Sequence, residues 1–396
     1  MIKDYIYLDN AATTKIKKEV LESMIPYLKD NFGNPSSLYS FGQESRNSIE
    51  ESREKISTVF NCRPKEIIFT SGGTESDNTA IKGPAQSLKY FGNHIITTAV
   101  EHHAVLHTCL ALEKQGFEIT YLPTDKYGIV SKESIFNAIK EDTILISVIY
   151  GNNELGSLNP IREIGETLTK LKKTKSKVPL FHTDAIQAAP FLNLDVQKLG
   201  VDLMSISAHK FNGPKGVGVL YMKNGTPFES QMTGGGQERQ KRSGTENIAY
   251  ISGAATAMKL ANEEKLELSK KLNRLRKLII NYINQNFPGT IINGHTENCL
   301  PNIINLTFQN IRADDLISAL DLENICISNG SACTTNSLEP SHVLQGIGVN
   351  ANLALNTVRI SLGRYNTEEE ITEFLKILKM ILKRSSKLNY ETSVEI

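Results

Sequence analysis

The chain has 396 residues, with 44 Lys and Arg against 43 Asp and Glu, for a net charge of +1. A hydrophobic fraction of 40% with 22% charged residues fits a globular protein with a large core, long enough for two domains. The balanced charge gives no footing for nucleic acid, the basic run KLKKTKSK reads as a solvated helix end and loop, and no apolar run approaches the ~18 residues of a membrane span.

The opening MIKDYIYLDNAATT has early Lys and Asp and no apolar core, so no signal peptide is expected. Strand candidates then alternate with helical patterns: EIIFTS (66–71), HIITTA (94–99), EITYLP (118–123), TILISVIY (143–150), VPLFHT (178–183), LMSISA (203–208) and VGVLYM (217–222). Amphipathic stretches such as AVLHTCLALEKQG and SIFNAIKE lie between them. Buried strands alternating with helices predict an α/β fold with a mainly parallel sheet. Residues 253–287 read as one long helix. NIINLTF, ADDLISALDLE, ICISNGS, TVRISL and a closing helix TEEEITEFLKILKMILKR follow, an α+β pattern that suggests a smaller second domain, and the tail KLNYETSVEI reads as weakly ordered.

Ligands of open α/β sheets bind beyond the carboxyl ends of the strands, so the residues there carry the functional reading. EIIFTS is followed by GGTESDNTAIK, where Gly72 and Gly73 permit close backbone approach and a helix N-terminus offers free N–H groups to a phosphate. The alternative is a plain helix start capped by Thr74 or Ser76. VPLFHT is followed by Asp184, with Gln187 three residues on, and Asp184 could be catalytic, a metal ligand or a helix cap. LMSISA leads into His209 and Lys210, a lysine at the cleft floor or on the surface. HIITTA leads into VEHHAV, with His102 and His103; HxH and HExxH spacings are missing, so no metal site is expected. Together these residues suit pyridoxal 5'-phosphate, which needs a lysine to hold its aldehyde and an acid to keep its ring nitrogen protonated. A charge pair at about 4 Å and effective dielectric near 20 gives about 4 kcal/mol, or roughly three pKa units, enough to keep the ring an electron sink at neutral pH.

The five cysteines, Cys62, Cys109, Cys299, Cys326 and Cys333, are odd in number and contain no CxxC pair, so neither a disulfide framework nor a structural zinc site is expected, and reduced cytoplasm fits best. Cys333 stands apart. It lies in SNGSACTTNSLEPSHV, among turn formers with no apolar periodicity, where a thiol is a liability unless its reactivity is used. Cys109 and Cys326 lie in apolar patterns and read as packing.

The motifs YLDNAATT, FTSGGTESDN, VEHHAV, NNELG, HTDAIQ, SISAHKFNGPKG, GGGQERQKRSGTEN, SNGSACTTNSLEPSH and VRISLGR run in order from Tyr7 to Arg364. With them the chain closely resembles the cysteine desulfurases of the NifS/IscS type, within the class V aminotransferase-like pyridoxal phosphate enzymes. That resemblance implies fold type I: a large cofactor-binding domain over 15–257 with a mainly parallel seven-stranded sheet, and a small α+β domain from 1–14 and 258–396 that carries the cysteine loop. It implies Lys210 as the Schiff-base lysine, Asp184 on the pyridine nitrogen, Gln187 on the phenolic oxygen and His102 stacked on the ring as a candidate acid or base. Gly73, Thr74, Ser207 and His209 would hold the phosphate. Thr245 would reach the phosphate of a neighbouring subunit, which implies a homodimer. Asn153 would orient the cofactor and, with Arg359, take the substrate carboxylate, for which a planar guanidinium is suited. Cys333 would attack the substrate's sulfur and leave as a persulfide, converting L-cysteine to L-alanine and passing sulfur to an acceptor protein such as an iron–sulfur scaffold or a tRNA-thiolation protein. The alternatives are a selenocysteine lyase or another class V enzyme, or an inactive cofactor-bound partner of other proteins. Gly151, Leu155 and Ile186 depart from the commoner family pattern.

Overall fold

A computed structural model describes residues 5–175, 177–329 and 340–392. Seven strands form the main sheet: β1 (Ile67–Thr70), β2 (His94–Thr98), β3 (Glu118–Leu122), β4 (Thr143–Ser147), β5 (Leu180–Asp184), β6 (Leu203–Ser207) and β7 (Gly218–Met222). Their spatial order is β1-β7-β6-β5-β4-β2-β3. All neighbours run parallel except β7, which is antiparallel to both β1 and β6. The apolar runs read from the sequence are strands because both sheet faces are covered: β1, β2, β4, β6 and β7 are buried at every position. β4 stops short of the expected Tyr150, although the Tyr150 N–H still bonds to the Asp184 carbonyl as the chain bends into the cleft.

The helix Ile248–Asn286 links two cores. Its first part is rich in small residues, and at Gly253 an added Cβ would come 2.8 Å from Met24. Ala249 to Ala261 pack into the core of the main sheet, whereas Leu272, Leu275, Ile279 and Ile283 belong to a separate core with Leu8, Ile304, Val358 and Phe374. That second core lies on an antiparallel sheet of β8 (Ile291–Asn293), β9 (Ile303–Thr307), β10 (Ser328–Asn329) and β11 (Thr357–Ser361), in the order β10-β11-β9-β8. Near the amino end, Ile6–Tyr7 pairs in parallel with Ile325–Cys326.

Two local expectations change. The helix Gly73–Leu88 starts at Gly72, and neither Thr74 nor Ser76 caps it: the Ser76 hydroxyl pairs with Thr70 Oγ1 at 2.7 Å, while Glu75 accepts the Ser71 N–H. The closing helix Glu368–Thr392 runs into the tail read as weakly ordered, since KLNYET contains no helix breaker. Among the described residues no helix is long and apolar enough to cross a membrane.

Candidate active site

The carboxyl ends of β5 and β6, the start of the helix Gly73–Leu88 and one arginine of the small sheet enclose a cavity of about 310 Å³. Ten of the residues singled out in the sequence line it: Gly73, Thr74, His102, Asn153, Asp184, Gln187, Ser207, His209, Lys210 and Arg359. β5 ends at Asp184, whose Oδ1 accepts the Ile186 N–H at 2.9 Å in a tight turn. Burial pushes this carboxyl up to about 6, against the pull of the Ile186 N–H and the Lys210 charge. β6 passes directly into the single turn Ala208–Lys210. Lys210 Nζ donates to the carbonyls of Ala11 and Ala12, each at 2.7 Å, and Gln187 Nε2 donates to the same Ala11 carbonyl at 2.9 Å.

His102 is the N-cap of the helix His103–Glu113, and its Nδ1 accepts the Ala104 N–H at 3.1 Å. Burial lowers it to about 4, helped by the Lys210 charge, so the ring is neutral at physiological pH. With Nδ1 accepting, the proton of the neutral ring sits on Nε2. His209 is likewise lowered to about 4, by burial and then by Lys210 and Lys215.

Arg359, 2% exposed, sits in β11. Nη1 donates to the Asn153 carbonyl at 3.0 Å and Nη2 to Asp9 Oδ1 at 2.9 Å. Its Nε and the Asn153 Oδ1 are buried with no hydrogen-bond partner among the described residues. Sequence reasoning did not single out Ala11, Ala12 and Ile149, which line the cavity, or Asp9, which joins it through Arg359; for Asp9, Ala11 and Ala12 the run LDNAATT is the one signal, and for Ile149 it is the end of the apolar run TILISVIY. Ile186, noted only as a departure from family pattern, also lines the cavity.

Two expected residues are elsewhere. Thr245 is exposed and does not line this cavity. Cys333 lies outside the described residues, but both flanks of its segment are tied to the site. Ser328 pairs with Arg359 across β10 and β11. On the other flank, Ser341 Oγ donates to Glu154 Oε2 at 2.6 Å and His342 Nε2 to the Glu101 carbonyl at 2.9 Å. The other four cysteines are unpaired thiols, all pushed up by burial, Cys62 and Cys109 to about 12.

The cavity fits pyridoxal phosphate. Gly73 leaves no room for a side chain, since a Cβ there would lie 2.3 Å from Ile186 Cδ1 and 3.3 Å from Ser207 Cβ, so backbone N–H groups can reach a phosphate closely. The orphaned Arg359 Nε and Asn153 Oδ1 await polar partners inside the same cavity. Such a site at the strand ends of this sheet defines a fold type I pyridoxal phosphate enzyme. The family model described as aminotransferase class-V matches residues 6–374, and the chain belongs to that family, whose cofactor is pyridoxal 5'-phosphate. It is 47% identical over 379 residues to a protein of Methanosarcina thermophila named cysteine desulfurase IscS, covering 96% of this chain and 92% of that one. Among solved structures, a NifS-like protein shares 39% identity and a TM-score of 0.89, covering 96% of this chain and 100% of that one. A structure titled SspA in complex with cysteine shares 37% identity and a TM-score of 0.79, covering 91% and 100%.

Proposed function

We propose that this protein is a cysteine desulfurase that converts L-cysteine to L-alanine, holds the sulfur as a persulfide on Cys333 and passes it to an acceptor protein. The observation that carries the reading is the meeting of Lys210, Asp184, His102 and Arg359 in one buried cavity, in a chain whose relatives are named for this activity. When bound, pyridoxal phosphate supplies an electron sink next to the substrate's Cα. Lys210 would hold its aldehyde carbon through Nζ and, once displaced by the substrate amine, move the Cα proton. Asp184 would keep the pyridine nitrogen protonated, and Gln187 would donate to the phenolic oxygen. Gly73, Thr74, Ser207 and His209 would hold the phosphate, with Asn153 and Arg359 on the substrate carboxylate.

The Cys333 thiolate attacks the substrate sulfur. The Cβ–S bond breaks, an S–S bond forms, and the Cβ takes a proton to leave as alanine. A free thiol with pKa near 8.5 is only a few per cent ionised at neutral pH, so a base has to assist. The bond from the Ala104 N–H to His102 Nδ1 leaves Nε2 as a proton donor, which favours the cofactor region over His102 for that task. The suppressed acidity of the four described cysteines supports Cys333 as the nucleophile.

The domain division, 15–257 against 1–14 with 258–396, belongs to this reading. It is supported by the change of core along the helix Ile248–Asn286 and by Leu8 in the small core. So does a homodimer in which the exposed Thr245 reaches the partner's phosphate, an iron–sulfur scaffold or tRNA-thiolation protein as acceptor, and residence in the cytoplasm. The test is release of sulfide and alanine from L-cysteine with a reductant present. Equal molar release by the native protein and none by Cys333→Ser, with cofactor colour kept in both, is the expected result. Equal activity in both proteins overturns the role of Cys333. Lys210→Ala should lose the borohydride-reducible attachment of cofactor.

A further inference from the structure

Asp77 lies one turn into the helix Gly73–Leu88, directly behind the cofactor cavity, and is 0% exposed. Neither of its carboxylate oxygens has a hydrogen-bond partner among the described residues. One of its oxygens, an oxygen of Asp184 and a ring nitrogen of His102 all lie within 4.8 Å of one another. Two carboxylates this close and this deeply buried each disfavour the other's ionised form, so one of them is driven to keep its proton.

Their surroundings decide which one keeps the proton. Asp184 has the Ile186 N–H on Oδ1 and the Lys210 charge nearby, and both favour its ionised form. Asp77 has neither. The imidazole nearest it, His182 Nε2 at 3.7 Å, is pushed down to about 3 by burial and carries no charge at neutral pH. That ring is held between Ser147 at 2.9 Å and Ser205 at 3.0 Å. Burial drives the Asp77 carboxyl well above its ordinary range and the nearby Asp184 and Glu101 carboxylates add to this, while the Ser205 hydroxyl, which pairs with His182 and falls short of a full hydrogen bond to Asp77, works the other way.

We propose that Asp77 is a positioning residue that stays protonated in the resting enzyme, so that the pair's single negative charge rests on Asp184, facing the pyridine nitrogen. The proposal rests on the cofactor reading above and extends it to the source of the Asp184 charge. A neutral acid at Asp77 lets Asp184 ionise, whereas a second charge there would drive Asp184 to take up a proton and lose its hold on the ring.

The test uses infrared spectra of the holoenzyme carrying 13C-labelled aspartate. The native protein should show a protonated aspartic carboxyl at neutral pH, and Asp77→Asn should lose that band while keeping cofactor bound; if Asp77→Asn does not fold, Asp77→Ser serves for the same subtraction. No such band, or a band that survives the substitution, overturns the proposal. Melting of the apoprotein against pH gives a second readout. An acid raised by folding keeps its proton in the folded chain after the unfolded chain has lost it, so stability falls as pH rises above the ordinary carboxylate range. Asp184, Glu101 and Glu154 contribute their own share of that decline. Asp77→Asn should make it shallower, and an unchanged slope counts against the proposal. Neither readout needs turnover, so a failure of the desulfurase reading would show in the cysteine assay while leaving both results standing.

Discussion

Arg359 Nη2 meets Asp9 Oδ1 at 2.9 Å, joining β11 to the amino-terminal segment beside the cavity that Arg359 lines. The guanidinium is thus held from two sides, by Asp9 and by the Asn153 carbonyl, and its Nε edge remains for a ligand. Asp9→Asn keeps an acceptor for Arg359 but removes its charge, which takes a bond of about 1.5–3 kcal/mol to roughly half of that, so it should raise the KM for L-cysteine roughly fivefold or more with a smaller change in kcat. Arg359→Lys should lose more, about 100-fold in kcat/KM, because a single ammonium cannot serve Asn153, Asp9 and a carboxylate together. Steady-state kinetics decide it, and an unchanged KM in Asp9→Asn would sink the assignment.

Gly73 makes a steric prediction. A Cβ at Gly73 would lie 2.3 Å from Ile186 Cδ1, so Gly73→Ala must displace either the isoleucine or the backbone at the start of this helix, where the proposed phosphate site lies. Overpacking of this kind costs about 1–3 kcal/mol, or roughly 5- to 150-fold in cofactor affinity. Adding Ile186→Ala should restore most of it, since the clash is with the far end of that side chain. Titration of the apoproteins with cofactor, followed by visible absorbance, measures both steps; equal affinity in Gly73→Ala and native protein would refute the cradle.

These two sites differ in how legible they were in the sequence. Asp184, Lys210 and Gly73 could be read because each follows a buried apolar strand, and the rule that ligands gather at carboxyl ends points to whatever stands there. Asp9 could not, because its partner Arg359 is 350 residues away and only the tertiary fold brings them together. Asp77 was hidden for another reason: in TESDNTAIK a carboxylate on a mixed helix face looks like solvent-facing charge, and only packing shows it to be fully buried. The Ala11 and Ala12 carbonyls that receive Lys210 are backbone atoms, on which side-chain patterns are silent. The seven strands are readable to within a few residues because five of them are apolar runs buried from end to end and the other two, β3 and β5, keep the same β-rich composition.

Glu154 should set a pH dependence of stability. It is 3% exposed, accepts from Ser341, and is raised from 4.5 to about 7, first by burial and against the pull of Ser341 and Arg359. The unfolded chain loses this proton near 4.5 and the folded chain near 7, so the stabilising contribution is complete below 4.5 and is lost as pH climbs to about 7. The span corresponds to at most about 3 kcal/mol. Glu154→Gln should reduce the fall in unfolding free energy between about pH 5 and pH 8 by an amount of that order. Urea titrations at the two pH values test this, and a fall as steep as in the native protein would remove Glu154 from the account.

The segment leading to Thr245 carries backbone strain that a buried ion pair offsets. Glu238, Arg239 and Gln240 all adopt positive φ, at 44°, 56° and 64°, a conformation costing residues with a side chain about 1–3 kcal/mol each. Glu238 is held there by Arg53, Nη1 to Oε2 and Nη2 to Oε1, each at 2.9 Å, and its Oε2 also accepts the Phe69 N–H from β1 at 2.9 Å. Both side chains are 3% exposed or less. Taking away one partner of a buried pair leaves the other charge unpaired and costs about 3–5 kcal/mol. Glu238→Gln should therefore lower the melting temperature and open the backbone at Arg239–Arg242 to hydrogen exchange and trypsin, because the charge-assisted bonds that oppose the strain of the turn are then weakened. Its neighbouring tie, Arg242 Nε to Glu75 Oε1 at 2.9 Å, anchors the same segment to the helix whose amino end holds Gly73, so loosening should also weaken cofactor retention. Exchange rates at this turn that match the native protein, despite a lowered melting point, would show that the ion pair supports the fold globally and does not restrain this segment.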